Sequence, residues 1–380
     1  MSRAADADER WMRIALQEAT AALGHTRPNP AVGCVLVRSG RELARGHTAP
    51  VGGPHAEAQA LAALAAAPGG ARGATAYVTL EPCAHFGRTP PCADALIAAG
   101  VSRVVVGCRD PHPLVAGRGL QKLRRAGIAV ERGVLEAECE ETLRGFFSVA
   151  TTGLPFVHLK LASTLDGRIA SRTGLSRWIS GPSSRQLVQS MRARCDAVLV
   201  GIGTVLADDP RLTCRRKGAA QPFRVVLDPE LRTPVRSRLL AGRGRALIVG
   251  SPSSSEARRR ALEKAGAEVW VMHTRGRRGW QRLLSRLAAS GVMEVLLEGG
   301  AAVAASAVQA GVVDRFSIFY STRFMGGDGV PMLTGIGVTK PSEAPAWRTL
   351  RFGRVTAIDG GDRQHRNGDW LWEGQPLVKR

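Results

Sequence analysis

Three residues of the kinds that bind soft metal ions, His55, Cys83 and Cys92, lie far apart in the chain. If they share one ion, the chain between them has to leave the site, double back and return. The residues in between can do this. The Ala/Leu run 56–67 predicts a buried helix closed by Pro68-Gly69-Gly70, and 74–80 predicts a β-strand. Zinc takes four ligands from thiolate and imidazole, and a catalytic zinc keeps one position for water. Glu57 is the fourth residue of interest. On a regular helix positions i and i+2 face different ways. His55 and Glu57 therefore reach one ion only if it lies just off the helix N-terminus, whose free N–H groups favour thiolates. A structural zinc would want a fourth Cys or His. His85 is the local candidate, and it sits too near Cys83 in sequence to compel that reading. The catalytic reading is preferred. Zinc lowers the pKa of its water to about 7, and Glu57 takes and returns protons as hydroxide attacks an amidine-like ring carbon and ammonia leaves.

Around this stretch, 8–23 predicts an amphipathic helix with Trp11, Ala15, Ala19 and Leu23 on one face. Pro28-Asn29-Pro30 breaks the chain before a strand at 32–37, and a Gly/Pro loop covers 46–54. A helix at 93–99, a strand at 103–108, a helix at 118–126, a strand at 128–134 and a closing helix at 135–148 follow. Strands alternating with helices predict an α/β layered domain with a largely parallel sheet. It ends near residue 150, with 151–155 as linker. Cys34, Cys108 and Cys139 fall in these elements and read as packing residues.

The pattern then begins again: strand, turn at Asp166-Gly167 and strand within 155–170, a helix from Pro182, and a strand at 196–201. Strands at 223–228, 245–249 and 267–272 are followed by a helix at 279–290 and a strand at 292–298. That last strand runs into Gly299-Gly300 and an Ala-rich helix. A strand, two glycines and a helix start can cradle a phosphate, although most such pairs are tight turns. This one lacks the Gly-x-Gly-x-x-Gly spacing of a dinucleotide fingerprint.

A chain of 380 residues is long for one core, so two domains are expected, 1–150 and 151–380. No apolar run is long enough for a membrane span, and the acidic start MSRAADADER is unlike a signal peptide. Seven cysteines, an odd number, do not make a disulfide framework. These points predict a cytoplasmic protein. The formal charge of +21 invites nucleic acid, but only 6 of the 53 basic residues are Lys and all are scattered, as an Arg-rich GC-biased coding sequence would give. A few arginines would serve small phosphorylated ligands equally well.

His-Ala-Glu followed by Pro-Cys and a further Cys resembles the zinc-dependent nucleobase deaminases. The insert of 8 residues between Cys83 and Cys92 is similar to that of the riboflavin-pathway pyrimidine deaminases. So are PNPAVG at 28–33, ATAYVTLEPC at 74–83, GRTPPC at 87–92 and DPHPLVAGRGL at 110–120. The resemblance places Asn29 at a base pocket; a plain turn explains Pro-Asn-Pro as well. Gln59 stands where that family commonly has His, and His47-Thr48 is shifted by one place against the family's loop histidine.

LKLASTLDGRIA, SRWISGP, GIGTVLADDPRLT, RVVLDPELRTP and residues 296–314 resemble the riboflavin-pathway reductases. Deaminase first and reductase second is the order of the bifunctional bacterial enzymes. The resemblance implies a cytidine-deaminase-like three-layer domain, then a dihydrofolate-reductase-like α/β domain, with zinc and NADPH as cofactors. Its implied metal ligands are His55, Cys83 and Cys92, with Glu57 catalytic. Its implied NADPH contacts are Ala162, Trp178, Thr204, Asp208 and the run Gly300, Ala301, Ala302, Val303, Ala304, Ala305 and Ser306. Its implied substrate contacts are Ser176, Arg192, Leu212, Arg215 and Glu298. Arg192 and Arg215 suit a ribose phosphate, or are surface charges; Trp178 is a nicotinamide wall or core. Pro229 stands where the family often has a cofactor-contacting Ser. Lys160 and Asp166 are polar enough to donate a proton, but nothing in the pattern assigns them that task.

The implied reactions are deamination of 2,5-diamino-6-ribosylamino-4(3H)-pyrimidinone 5′-phosphate and NADPH-dependent reduction of its ribosyl chain to ribityl. The expected partners are small phosphorylated pyrimidines and further copies of the chain, without nucleic acid or membrane. Two rivals remain: a tRNA adenosine deaminase with an appended RNA-binding domain, and a structural-zinc interaction protein.

Overall fold

Trp11, Met12, Ala15 and Ala19 recur at helical spacing and are all buried, so the first helix, α1 (Arg3–Ala22), covers a sheet with one face. The computed structural model describes residues 3–86, 90–112, 115–242, 244–355 and 368–377. It divides the chain into two compact units, Met1–Gly153 and Leu154–Arg380.

In the first unit α1 is followed by β1 (Gly33–Arg38), β2 (Arg41–His47), α2 (Ala56–Ala62), β3 (Thr75–Leu80), α3 (Cys92–Ala98), β4 (Arg103–Cys108), α4 (Arg118–Arg125), β5 (Ala129–Arg132), α5 (Glu136–Thr142) and α6 (Arg144–Thr152). The strands form one sheet ordered β2-β1-β3-β4-β5. β1 is antiparallel to β2 and β3, whereas β3, β4 and β5 run parallel. The sheet is therefore mixed, not largely parallel. The element the sequence pattern misses is β2, whose RELARGH buries only Gly46 and so shows no alternation. Ser39 and Gly40, both at positive φ, make the tight turn that pairs it with β1.

Two helix boundaries also shift. α2 stops at Ala62, because beyond Leu64 the residues 65–68 are exposed and have nothing to pack against. The closing helix is two helices parted at Leu143, and the second runs to Thr152, which shortens the linker. Cys34, Cys108 and Cys139 all sit in the buried core of this unit.

The second unit runs β6 (Phe156–Thr164), β7 (Arg168–Ala170), α7 (Pro182–Arg194), β8 (Ala197–Gly201), α8 (Ile202–Asp208), β9 (Phe223–Leu227), β10 (Ala246–Gly250), α9 (Glu256–Lys264), β11 (Glu268–Val271), α10 (Gly276–Ala289), β12 (Glu294–Glu298), α11 (Ala301–Gln309), β13 (Arg315–Ser321), β14 (Val330–Pro331), β15 (Trp347–Arg354) and β16 (Trp370–Pro376). Its main sheet is ordered β11-β10-β9-β8-β12-β6-β13-β16-β15. Strands β11 to β13 are parallel, and β16 and β15 add antiparallel at the edge. β8 leads outward to β9, whereas β12 leads back to β13, so the chain parts direction between them. In open α/β sheets a crevice forms at the carboxyl ends of such strands. α9 escapes the sequence pattern because it buries fully only Leu262; Ser255 fixes its start by accepting from the Arg258 amide.

One buried carboxylate ties α1 to the sheet. Asp8 accepts from Tyr77 Oη at 2.7 Å and from both terminal nitrogens of Arg103 at 2.8 and 2.7 Å. The Arg103 hydrogen bonds hold the Asp8 carboxyl below its ordinary value of 3.8 against the opposing effect of burial. A depressed folded value means that the contribution is complete above the unfolded pKa and is lost as pH falls through the lower folded one. Asp8→Ala is expected to cost about 1–3 kcal/mol near pH 7. In urea titrations the gap to the unmodified protein should narrow below about pH 4; a gap that does not depend on pH would refute the assignment.

Candidate active sites

His55 precedes α2 in extended backbone, φ −71° and ψ 165°, and the helix begins one residue later. This departure from helical geometry lets His55 and Glu57 face one place. Cys83 follows β3 in a loop, and Cys92 opens α3. His55 Nδ1 lies 3.7 Å from Cys83 Sγ and 3.3 Å from Cys92 Sγ, and the Cys92 amide donates to Cys83 Sγ at 3.2 Å. One donor atom from each residue falls within 4.8 Å of the others. Two sulfurs and one nitrogen so placed suit a zinc with a position to spare.

Proton affinities in this cluster fit a cation. The hydrogen bond from the Cys92 thiol, then that from His55, hold Cys83 down at about 4 despite burial. Cys92, whose proton Cys83 needs, is pushed up by that same bond and by burial. Glu57 is buried, and burial followed by the Cys83 charge raises it to about 6. A carboxyl poised there can take a proton and return it.

Glu81, which the sequence reading passed over, braces the loop that carries Cys83. It is buried, and its carboxylate accepts from the amides of Gly117 at 2.9 Å, Gly119 at 3.0 Å and Leu120 at 3.3 Å. Gly119 has to be glycine, because a Cβ there would meet the Pro82 carbonyl oxygen at 2.0 Å. The start of α4 thus presses on the residue before Cys83. An acid directly before Pro-Cys was the available signal, and only the fold reveals its partners.

In the second unit a cavity of about 1200 Å³ opens at the carboxyl edge of the sheet. Gly299 and Gly300 turn the chain from β12 into α11 at φ +88° and +87°, a region that favours glycine. Thr204 Oγ1 stands opposite, 3.4 Å from where a Cβ on Gly300 would be. Ala162, Trp178, Thr204 and Asp208 all line the cavity, as do Gly300, Ala301, Ala302, Val303 and Ser306. Ala304 and Ala305 are not among the lining residues: both are fully buried, Ala304 in the core of this unit. Trp178 is 60% exposed, with the Arg185 guanidinium over its ring at 4.5 Å, so it is a wall and not core.

Ser176, Arg192, Leu212, Arg215 and Glu298 also line it. Ser176 donates to Asp208 Oδ1 at 3.1 Å, joining an expected substrate contact to an expected cofactor contact. Arg192 differs from expectation. Its Nε and Nη2 donate to the Glu298 carboxylate at 2.5 and 2.8 Å, and its Nη1 donates to the Thr213 carbonyl at 3.0 Å. The fork that would have met a phosphate is thus already engaged. Against the opposing pull of burial, the Arg192 charge holds Glu298 low. Arg215 is exposed, and its guanidinium has no partner among the described residues. Lys160 lies beside Glu298 on the neighbouring strand, with its pKa lowered by burial. Asp166 lies outside the cavity and accepts from the Met325 and Gly326 amides at 3.1 and 2.7 Å, so it is a loop brace.

Comparison with known proteins agrees with this division. The family described as cytidine and deoxycytidylate deaminase zinc-binding region matches residues 5–108, and the RibD C-terminal domain matches 155–361. The riboflavin biosynthesis protein RibD of Aquifex aeolicus is 41% identical over 84% of this chain and 88% of its own. That of Escherichia coli K12 is 38% identical over 90% and 95%. The chain belongs to the RibD family. The solved structure of Acinetobacter baumannii RibD matches with a TM-score of 0.85 at 36% identity, over 98% of this chain and 100% of that one. The Thermotoga maritima deaminase/reductase gives 0.85 at 35% over the same shares. Members of the RibD family join a zinc-binding deaminase domain to a reductase domain, which accounts for two sites in one chain and for zinc and NADPH as cofactors.

The positions where this RibD chain departs from the family pattern brace the first unit. Gln59 Oε1 accepts from the His47 amide at 2.7 Å, tying α2 to the end of β2. His47 Nδ1 turns to Glu18 Oε2 at 2.9 Å. Buried Thr48 accepts from the Val32 amide at 3.0 Å. Residues 87–89 of the GRTPPC motif and 113–114 of DPHPLVAGRGL lie outside the described residues.

Glu81→Gln keeps the shape of the side chain but turns an amide N–H₂ toward backbone donors. A buried donor left without an acceptor costs about 1–3 kcal/mol. The variant should also lose zinc to a chelator faster than the unmodified protein. Unchanged melting and unchanged zinc retention would show that Glu81 does not brace the site.

Proposed function

We propose that His55, Cys83 and Cys92 hold zinc and that Glu57 is the proton carrier of a hydrolytic deamination of 2,5-diamino-6-ribosylamino-4(3H)-pyrimidinone 5′-phosphate. The observation that carries this reading is a buried carboxyl raised to about 6 beside a convergent His/Cys/Cys set. Bound zinc supplies the Lewis acidity that makes water nucleophilic near neutral pH. The remaining work falls to this chain. Glu57 receives the proton of the attacking water and delivers it to the departing amine, and the helix starts at His55 and Cys92 hold the ligands in place.

The second unit then reduces the ribosyl chain of the deaminated product to ribityl, for which NADPH supplies the hydride. Ala162, Trp178, Thr204, Asp208 and the turn from Gly300 hold the cofactor. Ser176, Leu212, Arg215 and Glu298 orient the substrate, with Arg215 as the phosphate contact. Arg192 acts through Glu298, keeping it ionised and fixed.

The tRNA deaminase reading is disfavoured by the reductase domain, and the structural-zinc reading by the site geometry. All seven cysteines are free, which supports a reducing, cytoplasmic setting. No helix among the described residues is long and apolar enough to cross a membrane. The arginines need no nucleic acid, since several pair with carboxylates, as Arg103, Arg192 and Arg245 do. Among the described residues nothing pairs with the outer edge of β15, which exposes Leu350 and Phe352 and so supports assembly with further copies. Sedimentation of the full chain should show an oligomer; a monomer at micromolar concentration would overturn that part.

Incubating the protein with the diaminopyrimidine ribotide, with and without NADPH, separates the two activities. Ammonia should appear without NADPH, and NADPH should be consumed only once the deaminated product is present. Glu57→Gln should lower ammonia release at least about a hundredfold while still binding zinc and still reducing the deaminated product. Ammonia release that survives the substitution would remove Glu57 from its role.

A further inference from the structure

The cavity of the second unit extends well beyond Glu298 and the glycine turn. It follows the carboxyl edge of the sheet from Lys160 on β6 and Glu298 on β12, past Gly201 at the end of β8, to Pro229 after β9 and Arg275 after β11. The strand order makes these opposite ends of one trough. At about 4.8 Å per strand, the five steps from β6 to β11 span about 24 Å, room for an extended dinucleotide. The middle of the trough is the start of α11, where backbone N–H groups suit a pyrophosphate. If the reacting ring lies toward Glu298, the adenosine lies toward β9 and β11.

That far end has a definite chemistry. Its floor is Trp280, buried and fixed by its indole N–H donating to Ser306 Oγ at 2.9 Å. Pro229 contributes neither a hydroxyl nor an N–H. Of the acids that line the cavity, Glu298 ends β12, Asp208 ends α8 and accepts from Ser176, and Asp209 accepts from the Arg238 amide. The charges on this part of the lining are the exposed arginines Arg232, Arg238 and Arg275. Arg275 precedes α10 in extended backbone, and its side chain has no hydrogen bond or ion pair among the described residues. Arg232 has one carboxylate near it, Glu230 at 3.6 Å; both are exposed, and such a pair holds little. A site for NADH would want an acid to accept from the 2′-hydroxyl, whereas a site for NADPH wants guanidinium groups for the 2′-phosphate.

We propose that Arg232 and Arg275 clamp the 2′-phosphate of NADPH and set the preference for NADPH over NADH. The proposal rests on the reductase reading above and adds the residues that choose the cofactor. Arg238, a third arginine on this lining, has its backbone amide tied to Asp209 Oδ1 at 2.8 Å, and Arg238→Gln is expected to leave the discrimination between the two nucleotides unchanged.

The test is equilibrium binding to the full chain of adenosine 2′,5′-bisphosphate and of adenosine 5′-monophosphate, followed by calorimetry. Arg232→Gln and Arg275→Gln should each weaken the bisphosphate about tenfold, and the pair about a hundredfold, while the monophosphate changes less than about twofold. Arg275→Lys should recover part of the loss, because it restores charge without the planar fork. In steady state the same variants should raise the KM for NADPH and leave that for NADH unchanged. Equal weakening of both nucleotides, or no weakening of either, overturns the clamp. If the unmodified protein oxidises NADPH on the deaminated pyrimidine and the variants keep its preference, the clamp alone fails. If it oxidises neither NADPH nor NADH, the reductase reading fails and takes the clamp with it.

Discussion

Two thiols and an imidazole brought within 4.8 Å of one another, beside a buried carboxyl, cannot all keep their ordinary protons. Cys83 gives its proton up because Cys92 and His55 donate to it, and Cys92 keeps its own for the same reason. The Cys83 charge then helps raise Glu57, after burial has done most of it. A divalent cation held by His55, Cys83 and Cys92 would settle this competition by taking the place of the protons. The surrounding structure exists to make the competition unavoidable: α2 and α3 begin at the site, and Glu81 and Gly119 press the start of α4 onto the loop before Cys83. If one of these contacts were relaxed, the donors could spread apart and hold ordinary protons.

The two units solve one problem in different ways. Each needs unsatisfied polar groups at a place where substrate can enter, and each finds them where a strand ends and a helix begins. In the first unit that junction carries side chains, with Cys83 after β3 and Cys92 opening α3. In the second it carries backbone, with Gly299 and Gly300 at positive φ clearing space before α11. A metal needs fixed donor atoms, so the first junction is built from side chains tied in by hydrogen bonds. A pyrophosphate would need N–H groups and close approach, and a turn built from glycine offers both.

How far the sequence reveals this depends on what each residue touches. The metal cluster and its helix–strand spacing are legible because ligand chemistry allows few residue types. β2 and α9 are not, since an edge strand with one buried residue and a helix with one buried leucine leave no apolar period to read. β15 and β16 are hidden for a similar reason: most of β15 is exposed, and the strands find each other only through a long connection. Ala304 sits inside a motif that runs continuously in sequence, but a helix turns about a hundred degrees per residue, so part of any such run faces the core. The partners of Glu81 do not show in the sequence because they are amides, which nearly every residue has.

Arginine shows the same limit most sharply. With 53 basic residues in the chain, charge alone says nothing about any one of them. Their partners sort them. Arg224 is 1% exposed and spends its guanidinium on the carbonyls of Ala241 at 3.1 Å and Gly244 at 2.6 Å, a purely structural use that burial alone marks by lowering its pKa. Arg192 is matched by the Glu298 carboxylate. Arg215, Arg232 and Arg275 line the cavity without a close carboxylate, which is what the proposed phosphate contacts rest on. A buried arginine without a carboxylate has to be satisfied by carbonyls, and one already paired has no fork left to offer. The phosphate-binding candidates in so basic a chain are therefore the cavity arginines without a close buried partner, and not those that look most basic in sequence.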